Sequence, residues 1–155
     1  MMKFKIFLLI VLTSSVAFAG SLDEAIMQST SGMKAQGARM KVVAQNIANT
    51  TSTGQTPGAE PYRRKLIFFK NKIDKNTGYN VVQVDKITGD RKTKFNAKFD
   101  PSHPAANADG YVLLPNVEPT IENLDMKEAQ RGYEANLGAV ETSKKMIGST
   151  IDLLR

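Results

Sequence analysis

The chain has no cysteine, no tryptophan and a single histidine among its 155 residues. The missing cysteines exclude disulfides, thiolate nucleophiles and cysteine-bound metals. One imidazole, His103, excludes multi-histidine metal sites. There is no G-x-S-x-G, no phosphate-cradling glycine loop and no H-E-x-x-H. Internal repeats and low-complexity tracts are also absent. What remains is an ordinary composition, 41% hydrophobic and 23% charged, in a length that suits one domain and a small second unit. The formal charge of +6 is a mild excess that does not by itself imply nucleic acid.

The first residues read as an export signal. Met1 to Lys5 form a short basic head, and Ile6 to Phe18 are mainly apolar. Ala17 and Ala19 then supply the small residues that signal peptidase accepts, so residues 1–19 are expected to be removed; the alternative is an uncleaved anchor or an apolar start to the first arm. The apolar run is shorter than the about 20 residues needed to cross a hydrocarbon core, and no cysteine follows to carry a lipid. Without Lys3 and Lys5 the charge is +4.

Two heptad series flank the middle of the chain. The first runs Leu22, Ile26, Ser29, Met33, Gln36, Met40, Val43, Ile47. The second runs Met126, Ala129, Tyr133, Asn136, Val140, Ser143, Ile147, Thr150, Leu154. Steps of three and four keep each series on one helical stripe. An N-terminal arm over residues 20–50 is expected to start at a Ser21 N-cap, with Glu24 completing a capping box. It should end at Asn49. A C-terminal arm over residues 120–155 should start between Pro119 and Leu124, with Asn123 as a candidate cap. The arms can pair in parallel or antiparallel. Interior glycines weaken both, at about 1 kcal/mol each relative to alanine. Ordering a residue costs about 1–2 kcal/mol, and burying a large apolar side chain returns about 1.5–3 kcal/mol. Each arm is therefore marginal until it finds a partner, and flanking apolar positions such as Val42, Leu137 and Ile151 suggest more than one. The fold class is α+β: paired terminal helices with a small β-rich middle over residues 51–119. Strands are expected at Tyr62–Phe69, Tyr79–Ile87, Lys92–Phe99 and Gly110–Leu114, separated by Asn76-Thr77-Gly78, Thr88-Gly89-Asp90 and a proline-rich loop.

Few residues invite chemistry. The loop from Asp100 to Gly110 carries donors, but placing Gly110 at the sixth position of a calcium loop puts Ala105 at the first and Asn116 at the twelfth, and both fail. His103 has carboxylates nearby but no accompanying nucleophile pattern. No catalytic, metal-binding or cofactor-binding residue is expected, and no small-molecule substrate. Tyr62-Arg63-Arg64-Lys65 and Arg91-Lys92-Thr93-Lys94 are basic clusters near aromatics, and the first is a candidate outer contact surface. Asn46 and Asn49 stand at i and i+3, where their amides can satisfy open carbonyls at a helix end or cap a neighbouring chain.

Val43-Ala-Gln-Asn46-Ile-Ala-Asn49, closing a heptad arm, resembles the motif shared by bacterial flagellar rod and hook proteins. Pro57-Gly58-Ala-Glu-Pro61-Tyr62-Arg63-Arg64-Lys65 follows it. Further on come His103-Pro104-Ala-Ala-Asn107-Ala-Asp109-Gly110-Tyr111-Val112, Pro115-Asn116-Val117, Asp125-Met126 and Tyr133-Glu134-Ala135-Asn136. Together these resemble the proximal rod proteins of that family, in order, from Ser21 to Arg155. The resemblance implies a self-assembling structural subunit of the flagellar basal body, in the periplasm. Implied partners are copies of itself, other rod proteins, and the adaptor and ring at the inner membrane. Leu22, Ile26, Met33, Met40, Val43, Asn46, Ile47, Asn49, Tyr133, Asn136, Val140, Ile147 and Leu154 are the expected assembly residues. The family normally lacks a cleavable signal, so the apparent one here sets this chain apart. The alternative is a periplasmic module whose basic β-rich middle binds the cell envelope.

Overall fold

The computed structural model describes the backbone of residues 2–154 and the side chains of residues 22–154. The side chains of residues 1–19, the expected export signal, lie outside that range. Six elements follow in order: α1 (Met2–Ala48), β1 (Lys65–Ile73), β2 (Asn80–Gly89), β3 (Asn96–Phe99), β4 (Tyr111–Leu114) and α2 (Pro119–Leu153). Two long terminal helices thus flank a small β-rich middle, which is the α+β arrangement expected from the heptad series.

Helix α1 begins far upstream of Ser21, so Ser21 does not cap it. Residues 2–48 contain no proline to break the helix. The helix ends where expected. Its last turn tightens, the amide of Asn49 bonding to the carbonyl of Asn46 at 3.1 Å and that of Thr50 to Ile47 at 3.3 Å. Helix α2 starts at Pro119 rather than at an Asn123 cap. Proline suits the first helical position, since its fixed φ is helical and no amide is needed there. The first intrahelical bond follows, from the Glu122 amide to the Glu118 carbonyl at 3.0 Å.

The strands form two separate two-stranded sheets, β1–β2 and β3–β4. β1 starts three residues later than its composition suggested and runs on through Lys70-Asn71-Lys72-Ile73. Its turn into β2 is closed by the Asp74 carboxylate, which accepts the amides of Asn76 and Thr77 at 2.9 and 3.1 Å. Those two amides hold the Asp74 carboxyl below the usual carboxylate range. β3 is shorter than expected because Asp90 folds the preceding residues into a turn. Its carboxylate accepts the amides of Lys92 and Thr93 and the Thr93 hydroxyl, at 2.9, 3.2 and 2.7 Å. β3 and β4 are antiparallel, pairing Ala97 with Leu113 and Phe99 with Tyr111. Gly110 enters β4 at φ +82°, with the Phe99 ring 2.9 Å from where a Cβ would stand.

The chain divides into two compact units that both draw on α1 and α2. One comprises Met1–Lys34, Asn71–Gln83 and Gly132–Arg155. In it Val81, Val140 and Ser143 are buried. The Val82 amide donates to the Ser31 hydroxyl at 3.0 Å, which donates in turn to the Gln28 carbonyl at 2.7 Å. Gly32 faces Asn136 so closely that an added Cβ would meet its side chain at 2.7 Å. The other unit comprises Ala35–Lys70 and Val84–Arg131, with Ala35, Val42, Val43, Val112, Val117 and Ala129 at its core. There Arg39 of α1 meets Glu128 of α2 at 4.0 Å, and Asn46 meets Glu122 at 3.0 Å, so these helical segments run antiparallel.

Candidate functional site: a buried polar lock

Asn46 and Glu122 are among the three largest fully buried side chains described, 1% and 0% exposed. The heptad series explains their positions. Asn46 lies one turn beyond the buried Val42 and Val43 on α1, and Glu122 one heptad before the buried Ala129 on α2. A side-chain amide offers two donor protons and two acceptor lone pairs. All four of Asn46 are engaged. Its Oδ1 accepts the Lys65 amide at 2.8 Å and the Tyr62 hydroxyl at 2.9 Å. Its Nδ2 donates to the Lys65 carbonyl and to Glu122 Oε2, both at 3.0 Å. By taking both backbone groups of Lys65, the asparagine stands in for a strand neighbour at the first residue of β1. Asn46 therefore has no hydrogen-bonding capacity left for a second chain, contrary to its expected place at an assembly surface.

Glu122 is held from its other side by Arg64, whose Nε donates to Oε1. The same guanidinium reaches Asp125 Oδ2 through Nη2 at 3.2 Å. A carboxylate this deep is tolerable because it is paired and hydrogen-bonded on both oxygens. Tyr62 completes the cluster. Burial, with a smaller contribution from the Glu122 charge, pushes its phenol above the usual range. Asn116 anchors the neighbouring loops: its Oδ1 accepts the Arg64 amide at 2.8 Å, and its Nδ2 donates to the carbonyls of Asp90 and Thr93 at 3.1 and 3.2 Å.

The basic run Tyr62-Arg63-Arg64-Lys65 was expected to face outward, but all four side chains are half-buried and engaged. Arg63 lies over the Phe95 ring at 4.2 Å and donates to the Asp90 carbonyl at 3.0 Å. Lys65 donates to Gln45 Oε1 at 3.1 Å. The physical reason is packing: the run crosses from the loop into β1 beside both helices, so its long stems fill space and their heads find partners. Asn49 caps the end of α1, returning its Nδ2 to the Gln45 carbonyl at 2.8 Å and accepting from Ser52 at 3.0 Å. His103 staples two loops, with Nδ1 accepting the Ala105 amide at 3.0 Å and Nε2 lying 3.3 Å from the Thr53 hydroxyl.

The heptad residues differ in exposure along their helices. On α1, Leu22, Ile26, Met33, Met40 and Ile47 are half-buried and Val43 is buried. On α2, Asn136 and Ile147 are half-buried, Val140 is buried, and Tyr133 and Leu154 are exposed. Val43 and Val140 are thus covered within the chain. Sequence reasoning missed Glu122 and Asn116. A glutamate three residues into a helix reads as an ordinary dipole partner, and an asparagine after a proline as a turn. Only the spacing of Glu122 ahead of Ala129 hinted at an inward position. Among the described residues, no group of three or more His, Cys, Asp or Glu side chains gathers to hold a metal ion, and no helix is long and apolar enough to cross a membrane.

Residues 108–153 match the family model described as "Flagellar basal body rod FlgEFG protein C-terminal". The chain is 46% identical to the flagellar basal-body rod protein FlgC of Agrobacterium fabrum, covering 81% of this chain and 89% of that one. It is 39% identical to FlgC of Bacillus subtilis, over 81% and 93% of the two chains. With FlgC of Borreliella burgdorferi the identity is 36%, over 86% and 98%. These likenesses give no support to an envelope-binding module. With this reach and identity, the chain belongs to the FlgC family of flagellar basal-body rod proteins, structural subunits that assemble with other components of the rod.

Proposed function

We propose that this chain is a self-assembling subunit of the proximal rod, working in the periplasm through its paired terminal helices. Its partners in this reading are copies of itself, neighbouring rod proteins, and the adaptor and ring at the inner membrane. The carrying observation is the buried lock of Asn46, Arg64 and Glu122. A subunit that passes torque must not let one helix slide along the other. Apolar stripes alone resist sliding weakly, because neighbouring registers bury similar area. A buried charge paired with one arginine and one asparagine penalises every other register, since a slip strands the carboxylate. The role requires no catalytic group, and no cofactor enters it.

The stripe residues then act in assembly by holding the arms together, and exposed positions on α2 meet neighbours. The C-terminal arm orders fully only on assembly, because it buries one seam and leaves large apolar residues such as Leu124, Leu137 and Ile151 uncovered. The export signal is removed after Ala19. The experiment replaces Val140 with Asp on the chromosome. A folded subunit absent from purified basal bodies, with swimming lost, is the expected result. Normal swimming would refute the role of this seam. Circular dichroism across a concentration series tests ordering, and a dilute monomer with full, cooperative helicity would contradict it. N-terminal sequencing of the periplasmic chain tests cleavage, with Gly20 expected first.

A further inference from the structure

We propose that the end of β2 and the turn after it form a docking surface for a bilayer of anionic phospholipid. The binding stands on this surface alone; only its use, holding a newly exported subunit beside a membrane, rests on the rod reading. Lys86, Arg91, Lys92 and Lys94 are all exposed. None of them belongs to an ion pair among the described residues. The neighbouring acids are each taken up. Asp85 holds Lys70 at 2.6 Å. Asp90 is 7% exposed and spends its carboxylate on the turn through Lys92 and Thr93. Glu60 is exposed but meets Arg63 at 3.2 Å. The cations within residues 86–94 are therefore unopposed.

Apolar side chains lie among them. Val84, Lys86 and Thr88 share one face of β2, because side chains alternate along a strand. The Lys86 ammonium lies 5.2 Å from the centre of the Phe68 ring, which places Phe68 of β1 on that face. Phe68 is 43% and Val84 38% exposed. Phe69 turns to the other face, where Arg39 of α1 lies over its ring at 5.2 Å. Beyond Thr88 the strand ends at a hollow of about 480 Å³, with Thr88, Gly89 and Arg91 on one wall and Glu60 and Arg63 on the other. The walls come close at Gly89, where an added Cβ would stand 3.0 Å from Arg63 Cδ. Arg63 already serves the Asp90 carbonyl and Glu60, which leaves Arg91 and the Thr88 hydroxyl for a headgroup phosphate.

The residue types favour lipid over protein. Lysine is depleted from protein–protein interfaces and arginine enriched, yet only one of these cations is an arginine. Pinning a lysine stem against a fixed partner costs rotamer entropy. A bilayer has no fixed shape to match, so it suits mobile point charges, each of which strengthens adsorption several-fold. Apolar groups set between the lysines can then dip below the headgroups.

The test mixes the purified chain with vesicles of phosphatidylcholine alone, or of phosphatidylcholine and phosphatidylglycerol in equal parts, and reads binding by co-sedimentation. The anionic vesicles should bind the chain about ten-fold more tightly or better, and added sodium chloride should release it. Lys86→Gln with Lys92→Gln should remove about ten-fold of that affinity. Lys144→Gln with Lys145→Gln, the same charge loss on α2, should leave it unchanged. Circular dichroism matching the wild type would show that both variants fold. Phe68→Ser should weaken binding without altering its salt dependence. Attachment through the apolar residues 6–18 would show no preference between the vesicles. Equal binding to both vesicles would overturn the proposal, and so would equal losses in the two double variants. Retention on immobilised polyglutamate with no preference for anionic vesicles would assign the surface to an acidic protein and overturn it as well. The rod reading is decided separately, by whether the chain is present in purified basal bodies.

Discussion

The two terminal helices are unlike in what they cover. From Ser29 to Met40, α1 exposes only Lys34, and even the Gln36 amide oxygen is buried without a partner. From Lys127 onward, α2 covers only Ala129, Gly132, Asn136, Val140, Ser143 and Ile147. Those six form a single seam at steps of three and four, and every other residue of that stretch faces solvent. That stretch of α1 is therefore largely covered within its own chain, while α2 from Lys127 covers one stripe and turns the rest outward. Outside its seam α2 carries Leu137, Met146 and Ile151 exposed. The charges follow the same division. The buried lock ties α1 to the start of α2, and the later turns of α2 hold no ion pair among the described residues.

The sharpest way to break this division is to remove the arginine from the lock. Arg64→Ala leaves Glu122 buried with only Asn46, and loss of one partner of a buried pair costs about 3–5 kcal/mol. Urea denaturation should show that loss. The double variant Arg64→Met with Glu122→Leu should recover most of it, because an apolar pair of similar volume does not strand a charge. A double variant as unstable as the single would show that the lock contributes packing rather than charge pairing.

The seam comes next. Val140→Asp puts a carboxyl at a covered position and should cost roughly 2–4 kcal/mol, from lost apolar burial and desolvation of the acid. Leu137→Asp, three residues away on the open side, should change stability by no more than about 0.5 kcal/mol. Equal losses from both would erase the contrast between seam and outer face. Gly110→Ala probes the β-rich middle at smaller scale. A side chain at that left-handed φ costs about 1–2 kcal/mol, and the Phe99 ring must also move. Thermal melts of the two chains would measure it.

Much of this was legible in the residues because helical periodicity is a local signal. Ala129, Asn136, Val140, Ser143 and Ile147 of the α2 stripe lie in its covered seam while Tyr133, Thr150 and Leu154 do not, and α1 ends within one residue of the expected Asn49. The four strands were found in order, and their edges were not. Lys92 to Phe95 reads as strand by composition but yields to the Asp90 turn, where three hydrogen bonds within three residues outcompete a ladder. The lock was not legible at all. Its members are separated by up to 76 residues, and a glutamate in a first turn or an arginine after a tyrosine carries no mark of who will face it. Asn46 stands out in the sequence by its spacing, which leaves open whether its amide serves its own chain or a neighbour. Its amide serves β1 of its own chain, because the helix end happens to lie beside the strand's first unpaired peptide.

Tyr62 offers the gentlest test of how closed the enclosed side is. Its hydroxyl donates to Asn46 Oδ1 at 2.9 Å, and Tyr62→Phe removes that one bond while Lys65 still satisfies the oxygen. A net loss of about 0.5–1.5 kcal/mol is expected. The pH dependence has a definite sign. Folding raises the phenol's pKa, so the neutral form is favoured in the folded chain. Its contribution is fully present below the unfolded value of about 10 and is lost as pH rises through the higher folded value. Wild type should therefore lose stability faster than Tyr62→Phe above that range, and their denaturation midpoints should converge in alkali. Parallel midpoints at every pH would mean that water reaches the phenolate freely, and that the lock is open on the side where α1 is otherwise covered.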